Sequence, residues 1–146
     1  MSENDPAVAG LLNQEPGGWV KAMGLRFVTA TPDAVEVEWT VGKEHLQPYG
    51  IVHGGVHCGV IETVCSIGAA LAVAARGSKA GAVGLENNTS FIRAVREGAT
   101  LRCKAVPVTR GRTTQVWEAE VREAEKLVAT GRVRLLVVDP EKGLPG

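Results

Sequence analysis

The segment Gly54–Ala75, GGVHCGVIETVCSIGAALAVAA, constrains the fold more than any other part of the chain. It runs for 22 residues with few polar side chains. That is far too long for a strand, so it reads as a helix, and a helix that is apolar around its circumference must be buried. Its length is also close to that of a bilayer span. Glu62, His57, Ser66 and several glycines interrupt the run, however, and amphipathic strands follow it, so a buried central helix is the expectation. Arg76-Gly77 supplies a basic end and a glycine stop.

Strand patterns surround this helix. Val35, Val37, Trp39 and Val41 alternate with Glu36, Glu38 and Thr40, the period of a strand with one buried face. Met23–Ala30 precedes them across the turn signal Thr31-Pro32-Asp33. After the helix come Val83–Val95, a strand around Leu101, Cys103 and Ala105, one around Trp117, Ala119 and Val121, and a last one over Leu127–Val138. The connections are short, with a tight turn at Arg110-Gly111-Arg112, and short connections join antiparallel strands. The predicted fold class is α+β: one antiparallel sheet wrapped on one helix. Residues 1–18 read as a polar lead-in with a short apolar patch over Val8–Leu12, residues 19–140 as a single domain, and residues 141–146 as a tail.

Composition narrows the function. Sixteen basic residues balance sixteen acidic ones, so no overall field draws the chain to nucleic acid or to an anionic membrane, and neither partner is expected. The opening MSENDPAVAG lacks the basic start and apolar core of a signal peptide, which points to the cytoplasm. Cys58 and Cys65 lie roughly 10 Å apart along a helix at 1.5 Å per residue, too far for a disulfide. With no CxxC pair, the three cysteines read as apolar fillers.

Glu62 is the only formally charged side chain between His53 and Arg76. An unpaired buried carboxylate is costly, so it belongs either to a core ion pair, to a wet edge, or to a reaction. The helix start Gly54-Gly55 offers unobstructed N–H groups at the positive end of the helix dipole, where a developing oxyanion can bind. Ser66 lies one turn beyond Glu62 on the same face. Gln47, in the Pro-Tyr-Gly loop before the helix, can orient a carbonyl.

Together Gln47, His53-Gly54-Gly55, Glu62 and Ser66 resemble the pattern of the hotdog-fold thioesterases, in particular the PaaI-like and 4-hydroxybenzoyl-CoA thioesterase branches. Asn88-Thr89-Ser90-Phe91-Ile92-Arg93, the Gly98 turn and the Arg110-Gly111-Arg112 turn extend the likeness over about residues 20–138. The resemblance implies a hotdog fold and hydrolysis of an acyl-CoA thioester, with coenzyme A entering as part of the substrate and no separate cofactor. It implies that the Gly54 amide polarises the thioester carbonyl with help from Gln47. Glu62 would then serve as nucleophile or as general base toward water, and Ser66 would position the water. His53 shapes the entry to the helix and joins the catalytic set. Asn88, Ser90, Arg110 and Arg112 form the expected coenzyme A set, the arginines as phosphate clamps. Arg93 and Arg96 are further candidates.

Spacing adds an argument of its own. Gly54 and Glu62 are about 12 Å apart by helical rise, too far for one carbonyl to touch both in one chain. Two antiparallel helices across a twofold axis bring Gly54 of one subunit to Glu62 of the other, so a homodimer is expected, with a dimer of dimers as its extension. His53 and His57 fall short of the three ligands of a hydrolytic zinc site, and no metal is expected. A hotdog enoyl-CoA hydratase is an alternative, but the Asp/His pair it would need is not found at suitable spacing. A non-catalytic acyl-CoA-binding domain is another, and it would have no use for a carboxylate beside an oxyanion site.

Overall fold

In the computed structural model, which describes residues 6–142, the apolar run forms a single helix. In chain order the elements are α1 (Pro6–Gln14), α2 (Gly18–Ala22), β1 (Arg26–Ala30), β2 (Val35–Thr40), a 3₁₀ turn (Lys43–His45), the helix itself, α3 (Gly54–Ala75), and β3 (Gly81–Phe91). The chain then continues through β4 (Thr100–Arg110), β5 (Thr114–Glu123) and β6 (Lys126–Val138). The strands form one antiparallel sheet in the order β1-β2-β4-β5-β6-β3, and α3 lies across one of its faces. This is the hotdog arrangement.

The buried positions of α3 are Val56, His57, Val60, Ile61, Val64, Cys65, Gly68, Ala69, Ala72 and Val73, two rows that each repeat every four residues. Because a helix turns about 100° per residue, a four-residue repeat drifts by roughly 40° at each step, and the stripe wraps around the helix as the twisted sheet passes beneath it. The expectation of a helix buried all round is corrected here. Glu62, Thr63, Ser66, Ile67, Ala70 and Leu71 are only partly covered, because one sheet supplies one layer of cover.

On the sheet, the alternation read from the sequence holds. Val35, Val37, Trp39, Leu101, Cys103, Ala105, Trp117, Ala119 and Val121 face the helix and are buried. The opposite face carries Arg102 paired with Glu36 and Glu38 at 2.9 and 3.2 Å, and Arg132 paired with Glu118 at 3.2 Å. Such exposed pairs add little stability but keep this face polar.

Three boundaries differ from the sequence reading. The lead-in holds α1, whose Ala9 enters the core and whose Asn13 carboxamide exchanges two 2.8 Å hydrogen bonds with the Phe27 backbone, acting as a short extension of the sheet beside β1. The first strand begins at Arg26 because α2 occupies Gly18–Ala22 and its Trp19 ring lies against Gly59 of α3. β3 ends at Phe91, four residues before Val95 re-enters the core, and the following segment turns away from the sheet to bridge Ile51 with Arg96. Of the expected tail, residues 143–146 lie outside the described residues.

Helix and sheet approach closely at Gly68, where a Cβ would stand 2.5 Å from the Trp117 ring. Trp117 is fixed in turn, its Nε1–H donating to Gln115 Oε1 at 2.9 Å. Gly68→Ala is therefore expected to lower the stability by about 1–3 kcal/mol through overpacking. Gly81→Ala, where the Cβ enters open space, should change it by no more than about 0.5 kcal/mol. Urea denaturation of the two variants checks the contrast, and equal losses would mean that the Gly68–Trp117 contact does not set the helix height.

Candidate active site

The loop before α3 is built around His45, a buried residue that the sequence reading passed over. Its Nδ1 accepts from the Gly42 N–H and its Nε2 reaches the Met23 carbonyl, both at 2.8 Å, which fixes a neutral ring with the proton on Nε2. The His45 carbonyl accepts from the His53 N–H at 2.8 Å. The loop carrying Gln47 is thereby anchored at both ends. Gln47 Oε1 accepts from the Tyr49 N–H, which leaves its NH₂ group free to donate toward a ligand.

His53 is the N-cap of α3: its Nδ1 accepts from the Gly55 N–H at 2.8 Å. The Gly55 amide is thus spent, and the Gly54 amide is left without a hydrogen-bond partner among the described residues. The absence of a side chain at Gly54 lets the exposed Phe91 ring at the end of β3 sit over the helix start, since a Cβ there would lie 2.8 Å from the ring unless the ring moved. Gln47, Gly54, His57, Phe91 and Arg93 line one cleft of about 320 Å³.

Glu62 does not line this cleft. Two turns further along α3, it is half-buried where α3 meets β3. Its Oε2 accepts from Asn87 Nδ2 at 3.1 Å, and the same amide group donates to the Cys58 carbonyl at 3.0 Å. Thr89 Oγ1 donates to Asn87 Oδ1 at 2.6 Å and so holds the amide in that orientation. Gly84 makes room for the carboxylate, because a Cβ there would fall 2.0 Å from Glu62 Oε1. Among the described residues no cation forms an ion pair with Glu62, so the core salt bridge left open by the sequence is not the arrangement found. Asn87 was missed in the sequence, and Thr89 figures there only within the family-like segment 88–93, without this role. The signal that could have found them is strand alternation, which puts 87, 89 and 91 on the helix side of β3.

The same alternation sends Asn88 and Ser90 to the other face. Asn88 stands beside Glu86, Arg132 and Arg134, away from Gly54 and Glu62. Ser66 is half-buried and its hydroxyl has no partner among the described residues, whereas Thr63 Oγ1 bonds back to the Gly59 carbonyl at 2.8 Å. Arg110 and Arg112 sit at the opposite end of α3 from Gly54, where Arg76 donates to the Gly111 carbonyl at 3.0 Å. Arg110 is engaged by Asp33 Oδ1 at 2.7 Å and by the Pro32 carbonyl at 2.8 Å. Arg112 is exposed and has no ion pair among the described residues. Within one chain the four residues expected to bind coenzyme A are therefore not brought together.

Burial sets the chemistry of several side chains. It pushes the Cys65 and Cys103 thiols well up, which keeps them inert as packing groups. It pulls His57 down to about 4.

The matrix of known proteins agrees with this architecture. The Thioesterase superfamily model matches residues 49–130. The Rv1847 protein of Mycobacterium tuberculosis is 36% identical over 114 residues, 77% of this chain and 81% of the relative. The 1,4-dihydroxy-2-naphthoyl-CoA hydrolase of Listeria monocytogenes is 30% identical over 127 residues, covering 86% of this chain and 99% of the relative. The solved structure of thioesterase HI1161 from Haemophilus influenzae superposes with a TM-score of 0.79 at 29% identity, over 90% of this chain and 88% of that one.

The depressed His57 value makes a pH prediction. The unfolded ring takes a proton near its ordinary value of 6.5 while the folded ring resists it until about 4. Stability is complete above the higher value and is lost as the pH falls between the two, by up to about 3 kcal/mol. The difference in unfolding free energy between the wild type and His57→Gln should narrow or reverse sign-wise toward the variant over that interval, and an NMR titration of the imidazole that showed an ordinary midpoint would refute it.

Proposed function

Since the chain belongs to the thioesterase superfamily, we propose that it hydrolyses acyl-CoA thioesters in a site completed by two subunits. The observation that carries the reading is the division of the catalytic parts. The free Gly54 amide and the Gln47 NH₂ group share one cleft, while Glu62 stands outside it, unpaired with a cation and oriented by Asn87. The thioester carbonyl oxygen accepts from Gly54 and Gln47, which stabilises the charge that develops on it. Glu62 of the partner subunit either takes the proton of an attacking water, held by the Ser66 hydroxyl, or attacks the carbonyl carbon itself. The C–S bond then breaks, and on the general-base route coenzyme A leaves as its thiol with the proton Glu62 had taken. On the nucleophilic route it leaves as the thiolate, and water afterwards hydrolyses the acyl–Glu62 anhydride to the free acid and restores the carboxylate.

A homodimer is supported by two open surfaces. β3 is an edge strand with unpaired backbone on its outer side, and an edge of this length is a ready surface for pairing. The partly covered row Ile67, Ala70 and Leu71 leaves an apolar stripe on α3 beside Glu62 and Ser66. The Listeria relative, named for hydrolysis of an aryl-CoA, supports a coenzyme A thioester as the substrate class. The free cysteines fit a cytoplasmic setting.

Release of free thiol from a panel of acyl-CoAs tests the activity and separates it from a binding domain or a hydratase. Glu62→Gln should lower kcat by on the order of 10²-fold or more. Gly54→Pro removes the proposed carbonyl donor at a helix position that tolerates proline, with the exposed Phe91 ring free to swing aside. Random exchange of the two inactive variants should restore roughly a quarter of the wild-type activity, because half the dimers are mixed and each holds one intact site. No recovery from a verified mixed dimer would refute the divided site.

The two turn arginines should separate. Arg112→Ala is expected to raise KM for a CoA ester about three- to tenfold and to spare a pantetheine ester, as a remote phosphate contact does. Arg110→Ala, whose guanidinium is occupied by Asp33, should change KM less. Equal losses on both esters would remove the nucleotide contact.

A further inference from the structure

His57 has a relative exposure of only 3%, yet it lines the cleft between Gly54 and Phe91. Its Nδ1 is fully enclosed and has no hydrogen-bond partner; its Nε2, also without a partner among the described residues, is not fully enclosed and is the ring nitrogen that the cleft can reach. His45, the other buried histidine, has both nitrogens satisfied. A buried ring nitrogen without a partner is costly, so the reachable Nε2 favours a ligand group that hydrogen-bonds it. The Phe91 ring, 6.3 Å away between centroids and tilted by 36°, forms an apolar wall beside it.

We propose that His57 reads a hydroxyl group on the acyl chain of the substrate. This rests on the thioesterase reading above. Gly54 and His57 are three residues apart, so they face the same side of the first helical turn with roughly 5–6 Å between their Cβ positions. An acyl group whose carbonyl oxygen rests on the Gly54 amide brings a hydroxyl within reach of the ring when it lies roughly two or three carbons from the carbonyl. A hydroxyl both donates and accepts, so it can bond Nε2 in either tautomer. Burial keeps the ring neutral near pH 7, which suits a hydroxyl better than a carboxylate.

The test compares butyryl-CoA with the two enantiomers of 3-hydroxybutyryl-CoA. The wild type is expected to favour one enantiomer over butyryl-CoA by about tenfold in kcat/KM, the scale of one buried hydrogen bond. His57→Leu should bring that ratio close to one, and His57→Gln, which keeps a donor and an acceptor, should retain part of it. A wild-type ratio within twofold of one for both enantiomers overturns the proposal. So does a ratio that survives in His57→Leu, because the imidazole nitrogens would then be satisfied by something other than substrate. If His57→Leu does not fold, the wild-type ratio and the Gln variant carry the test. If none of the esters is hydrolysed, the thioesterase reading fails by itself. Calorimetric binding of the same three compounds then decides the His57 assignment: tighter binding of one hydroxylated enantiomer supports it, and equal affinities overturn it.

Discussion

The packing of α3 against the sheet is the contact on which the rest of the structure depends. Its two buried rows press into Trp117, Ala119, Val121, Cys103 and Leu135, all fully or nearly fully buried, and Gly68 lets the helix sit close enough for Trp117 to fill the gap. Hydrophobic burial of this kind is not directional, so the position of the helix is set by shape: large rings on the sheet face small residues on the helix. Once α3 is fixed, its N-terminus, its midpoint and its open face are fixed with it.

The candidate site follows from where β3 crosses that helix. β3 runs beside α3 from Gly84, next to Glu62, to Phe91, over Gly54. At each end a glycine permits the approach: Gly84 admits the carboxylate and Gly54 admits the Phe91 ring. Between them Asn87 binds Glu62 and Thr89 binds Asn87, so a strand and a helix distant in sequence hold one carboxylate in place. The edge position of β3 keeps this region open, and it is why Glu62 is only half-buried although its helix is the most apolar part of the chain.

Much of this was legible in the sequence because it rests on local periodicity. Alternation in 35–41, 101–105 and 117–121 identified strands and their buried faces, and the long, mostly apolar run identified α3. The exposed Gly54 amide also follows from a glycine pair at a helix start, whereas His53, expected only to shape the entry to the helix, is shown by the structure to be its N-cap. What escaped was non-local. α1 and α2 are short, and Asn13 has meaning only beside Phe27. The parity of β3 shifts at an irregularity between Gly84 and Glu86, so the facing of Asn87 against Asn88 depends on its pairing with β6.

The sequence by itself determined the fold class, the central helix and the chemical character of its lone acid, since each depends on which side chains recur at a given spacing. Only the tertiary structure decided which partners those side chains meet. It gave Glu62 an amide rather than a cation, engaged Arg110 with Asp33 while leaving Arg112 free, turned Asn88 and Ser90 away from the cleft, and left the His57 nitrogens without a partner. The physical reason is that hydrogen bonds and ion pairs require atoms within about 3 Å, and that proximity is created by strand register and helix placement across long stretches of chain.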